Sequence, residues 1–101
     1  MTQPTRRPKE RKEEILSAAL EMSRAVGYLR VTREQIALRA QCSPAAVSAH
    51  FGTMTKLRRA IMSAAVARKD LDLIAQGLVA GDSKARAVAT AIRFEALGAL
   101  L

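Results

Sequence analysis

Between residues 9 and 26, Ile15, Leu16, Ala19, Leu20, Met22, Ser23 and Val26 recur in steps of three and four, which places them on one face of a helix. The pattern predicts a first helix over 9–26, stopped by Gly27, with Tyr28 and Leu29 beginning a return loop. Thr32 followed three residues later by Gln35 is a capping-box pair, in which hydroxyl and side-chain amide each satisfy an orphan backbone N–H. It opens a second helix whose inner face is Ile36, Ala37 and Ala40. Gln41 and Cys42 make a tight turn; Ser43 as N-cap and Pro44 at the first helical position then start a short third helix, 44–50. It ends near Phe51 and Gly52. Thr53 caps a fourth helix over 54–69, with Leu57, Ile61, Ala64, Ala65 and the stem of Arg68 facing inward. Beyond 70 the pattern weakens, because Gly77 and Gly81 each cost about 1 kcal/mol relative to Ala within a helix. Asp82 or Ser83 caps a last helix reaching Leu100. Residues 1–8 hold two prolines and no period and read as a flexible basic arm.

Composition agrees with an all-α fold. Half of the 101 residues are apolar and only three are aromatic, so the core is built from Ala, Leu, Ile, Val and Met, and runs of β-branched residues are nearly absent. Charge changes the picture more. The formal net charge is +8, and it is unevenly placed: residues 1–69 hold 14 Lys/Arg against 5 Asp/Glu, residues 70–101 three against four. A basic lobe joined to a near-neutral, Ala/Leu-rich one suggests a polyanion-binding part and a packing part. One cysteine, Cys42, forms no intramolecular disulfide, and no apolar run approaches the roughly 18–20 residues of a membrane span. The basic start leads into a charged helix rather than an apolar segment, unlike a signal peptide, so a cytoplasmic chain is expected. There is no metal-ligand cluster, no phosphate-cradling glycine loop and no nucleophile paired with a base; an enzyme, a metal and a cofactor are therefore not expected.

The stretch from Thr32 to Val47 has the form of two short helices meeting steeply across a three-residue turn, with Ala37 as the small residue at the crossing and Ile36, Ala40, Cys42 and Val47 on the inner faces. Cys42 reads as a buried, inert thiol there. The segment Ala40-Gln41-Cys42-Ser43-Pro44-Ala45-Ala46-Val47-Ser48-Ala49-His50-Phe51-Gly52-Thr53-Met54-Thr55-Lys56-Leu57, with Gly27-Tyr28 and Ile36-Ala37 before it, resembles the DNA-binding domain of tetracycline-repressor (TetR) proteins over roughly residues 11–65. The resemblance implies a TetR-like three-helix helix-turn-helix domain over 9–69, followed by a short helical packing or dimerisation segment over 70–101. Three positions depart from the family pattern. Gln41 replaces the usual turn glycine, Ser48 stands where a phosphate-contacting tyrosine is usual, and Met54 where a lysine does the same work. The family's large ligand-binding domain has no counterpart in the sequence, so a small-molecule effector is not expected.

The residues expected on double-stranded DNA fall in three groups. Arg6, Arg7, Lys9, Arg11 and Lys12 would track the backbone or enter a minor groove. Thr32, Arg33, Ser43, Thr53 and Lys56 would meet phosphates at helix starts. Ala45, Ala46, Ser48, Ala49 and His50, on the helix that Pro44 opens at the DNA, would form the recognition surface, although His50 also reads as a packing residue beside Phe51. No Arg, Asn or Gln lies on that surface for bidentate base readout, so thymine-methyl contacts, Ser and His hydrogen bonds and DNA shape would carry specificity. One such unit makes few contacts, which predicts a homodimer reading two half-sites. Leu71, Ile74, Leu78, Val88, Ile92, Phe94, Leu97 and Leu101 exceed what two helices bury alone and are the expected dimer surface. The reading is a sequence-specific transcriptional repressor. Its alternatives are a plasmid or phage accessory DNA-binding factor, and a protein-interaction or antirepressor module that keeps the fold.

Overall fold

A computed structural model describes residues 7–100, with side chains to residue 91. Among the described residues the chain is six helices and no strand: α1 Pro8–Val26, α2 Arg33–Ala40, α3 Pro44–Phe51, α4 Met54–Ala67, α5 Leu71–Ala80 and α6 Ser83–Leu100. The all-α expectation holds.

The helix starts are locally encoded. Thr32 and Gln35 close the full capping box: the Gln35 N–H donates to Thr32 Oγ1 at 3.2 Å and the Thr32 N–H to Gln35 Oε1 at 2.9 Å. Ser43, Thr53 and Asp70 accept in the same way from the amides of Ala46, Lys56 and Leu73. The stops share one device. At the ends of α2, α4 and α5 a left-handed residue turns the chain so that the next N–H reaches back five residues: Cys42 to Ala37 O, Asp70 to Ala65 O and Asp82 to Gly77 O. Gly81 takes that position without strain, but Gln41 (φ 57°) and Lys69 (φ 55°) carry side chains there, at a cost of about 1 kcal/mol each. Lys69 thereby breaks the chain between α4 and α5. The fourth helix accordingly stops at Ala67 rather than Lys69, and Arg68 is exposed instead of laying its stem on the core.

The core is one cluster. Ile15, Ala19 and Leu20 of α1, Ile36 and Ala37 of α2, Val47 and Phe51 of α3 and Leu57, Ile61 and Met62 of α4 pack together. Tyr28 and Val31 from the α1–α2 loop join them, both buried. The cluster runs past the break at Lys69 to include Leu73, Ile74 and Ala85. Two ties reinforce that continuity. Gln76 accepts from the Tyr28 N–H at 2.8 Å and donates to the Ser23 carbonyl at 3.1 Å, and Arg24 pairs with Asp70. Gly77 lets α5 approach so closely that an added Cβ would lie 2.7 Å from Met62 Cε and 2.8 Å from the Ala85 methyl.

Ile74 is therefore a core residue of its own chain, 4 % exposed, and not a dimer contact as expected from sequence. Its apolar side points along the α5 face that meets α1 and α4, a choice that composition cannot disclose. Leu71 and Leu78 remain exposed and Val88 is half-buried. Ile92, Phe94 and Leu97 are among the residues whose side chains are not described, and Leu101 and Arg6 lie outside the described residues.

Candidate nucleic-acid interface

The third helix is held by its inner edge. Val47 and Phe51, one turn apart, are buried, and the opposite positions Ala45 and Ala49 are exposed. Ala46, Ser48 and His50 sit half-buried on the shoulders, so the free face is a narrower strip than the five-residue surface expected from sequence. Ser43 and Pro44 start the helix sharply and are themselves exposed; the Ala46 N–H donates to Ser43 Oγ at 3.1 Å. The result is a short, uncharged, outward-facing helix edge with a methyl-lined surface. Such an edge suits a major groove, where thymine presents a methyl group.

Two cations flank its far end. Lys12, from α1, places its ammonium 5.5 Å from the centre of the Phe51 ring. Lys56, from α4, folds over Gly52, its Cδ 3.1 Å from where a Cβ there would stand. Both charges also lie near the carbonyl end of α3, which favours them. Thr53 and Thr32 are exposed at the starts of α4 and α2, each with its hydroxyl accepting from the amide three residues on, which leaves the O–H available to a phosphate. Arg33, beside Thr32, is half-buried, and its Nε is buried without a hydrogen-bond partner. Arg7 and Lys9, at the start of α1, are exposed.

Arg11 does not belong with them. Its guanidinium turns inward, donating from Nη1 to the Ala40 carbonyl at 3.3 Å and from Nη2 to the Gln41 carbonyl at 3.2 Å, with the Glu14 carboxylate 3.3 Å from Nη1. The guanidinium expected to track a DNA backbone is thus engaged on the protein's own turn. Arg39 is paired with Glu21 at 2.6 Å, and Arg58 donates to the Leu29 carbonyl at 3.3 Å. Cys42 is half-buried rather than fully enclosed. On another flank of α1, Glu10, Glu13, Glu14 and Glu21 line an open cleft beside Arg39 and Gln41.

In the sequence Lys12 is one more charge of the basic arm. Its place beside the third helix follows from packing between residues far apart in the chain, and no spacing rule announces it. Among the described residues no group of three or more His, Cys, Asp and Glu could hold a metal ion, and no helix is long and apolar enough to cross a membrane.

Together these features define a helix-turn-helix DNA-binding domain. Residues 15–61 match the family model described as bacterial regulatory proteins, tetR family. That segment is a TetR-family DNA-binding domain, the domain of a family of DNA-binding transcription regulators rather than enzymes. None of the curated proteins and none of the solved structures compared with the chain matches it.

Proposed function

We propose that the chain binds double-stranded DNA sequence-specifically as a homodimer and represses transcription by occupying its site. The observation that carries the reading is the exposed edge of α3 at Ala45 and Ala49, seated on Val47 and Phe51 and flanked by Lys12 and Lys56. In this reading residues 9–69 present the DNA surface and residues 70–101 supply the contacts between copies. Leu71 and Leu78, two turns apart on the exposed side of α5, support the second part.

Fragments selected from a random duplex pool should converge on an inverted repeat with half-sites about one helical turn apart. If Arg7, Lys12 and Lys56 of both copies each meet one phosphate, log K should fall with log salt at a slope of about −5. A pool that never enriches, with no retardation even at low salt, would overturn the reading. It would favour instead a protein-interaction module, for which the acidic flank of α1 is the supporting observation.

A further inference from the structure

We propose that Arg11 is a positioning residue for the recognition helix: it braces the turn between α2 and α3 and so sets the angle at which α3 is presented. The proposal rests on the DNA reading above. The last carbonyls of a helix lack intrahelical partners and carry its negative end. At this end of α2 the carbonyls of Ala40 and of the capping residue Gln41 point at one guanidinium, which reaches both from the first turn of α1. A planar fork meets two acceptors at once, as an ammonium cannot. Glu14, one turn along α1, keeps the Arg11 side chain aimed.

The braced residue is the strained one. Gln41 holds φ 57° and ψ 47°, a conformation that glycine adopts freely and glutamine does not. Only Cys42 and Ser43 separate it from Pro44, so a small change at Gln41 becomes a tilt of the whole of α3. Over a helix of about 12 Å, a tilt of roughly 10° displaces the far end by about 2 Å, enough to lift Ala49 from a base edge. Arg11 thus does for the turn what a glycine would do by itself.

The test is duplex binding by the full chain across a salt series, using the selected site and random DNA, for wild type, Arg11→Ala, Arg11→Lys, Lys56→Ala and Arg11→Ala/Gln41→Gly. Arg11→Ala is expected to lower affinity for the selected site on the order of tenfold or more, with little change on random DNA and an unchanged salt slope. Lys56→Ala should weaken both and flatten the slope by about one phosphate. Gln41→Gly should restore most of what Arg11→Ala loses, and Arg11→Lys should fall between. Equal losses on both DNAs with a flatter slope would make Arg11 a phosphate contact and overturn the proposal, as would unchanged affinity. Amide exchange reads the brace without DNA: in Arg11→Ala, or in Arg11→Lys if the alanine variant does not fold, Gln41 and Cys42 should exchange faster relative to α4. If wild type binds no duplex, the DNA reading fails, and unaltered exchange at these two amides would separately overturn the brace.

Discussion

A methyl group added at Gly77 would stand between Met62 Cε and the Ala85 methyl, under 3 Å from each. The thioether end can swing away; the alanine methyl has no rotamer, so α5 or α6 must shift. Gly77→Ala is therefore expected to destabilise the protein by about 1–3 kcal/mol, although alanine is the better helix former, and a thermal unfolding curve checks it. At Gln41 the sign reverses: Gln41→Gly should stabilise by about 1 kcal/mol, because φ 57° suits glycine. Tyr28 adds a pH dependence. Burial, aided by Asp82 and opposed by Arg58, pushes its phenol above the ordinary value of 10.0. The fold thus holds that proton more tightly than the unfolded chain does. Its contribution is whole below about pH 10 and is lost as pH climbs through the raised value. The stability difference between wild type and Tyr28→Phe, followed by urea unfolding upward from about pH 8, should shrink or change sign along that climb; a constant difference would show that the phenol is not desolvated. Of these three effects only the one at Gln41 is written in local sequence. The strain at Gln41 was foreseeable from a non-glycine in a tight helix turn, whereas the neighbours of Gly77 and Tyr28 come from helices brought together only by folding.

The elements themselves were readable because their ends are made of neighbours. Thr32 with Gln35, Ser43 with Pro44, and Thr53 all act within four residues, and each start lies where those residues indicate. What sequence could not show is which side of an element is occupied. Ile74 and Leu78 are both apolar positions of α5, yet one is buried and the other exposed. Arg11 and Lys12 are adjacent, yet one braces the turn and the other lies over Phe51. At this scale α3 is the element to probe. Eight residues are too few to stand as a helix unaided, so Ser43→Ala should cost about 1 kcal/mol and weaken duplex binding along with it. Ala49→Glu separates fold from function. On an exposed position it should move the melting temperature by only about 3 °C or less, while a carboxylate facing the groove lowers binding on the order of tenfold or more. Retained binding by that variant would move the DNA to another surface.

At the largest scale a cationic edge is joined to a helix, α5, that leaves Leu71, Leu78 and Val79 exposed. Leu71→Asp together with Leu78→Asp should leave the monomer folded, since neither side chain enters the core. In the proposed dimer it should shift the sedimenting species to a single chain and sharply reduce site affinity. A dimer that persists would assign the contact to another face. The imbalance of charge was visible in composition, but which cations remain for a partner was not. Arg11, Arg24, Arg39 and Arg58 all have internal partners, and the count of positive residues overstates the charge that a polyanion would meet.

The seam at Gly77 sets a lower limit on a portable version of the reading head. Met62, beneath it, belongs to the same helix as Lys56, and its roof is α5 together with the Ala85 methyl of α6. A graft trimmed after the fourth helix would strip the cover from Met62, which is fully buried in the folded chain. A transplant that keeps its grip on DNA therefore has to carry the chain past Ala85.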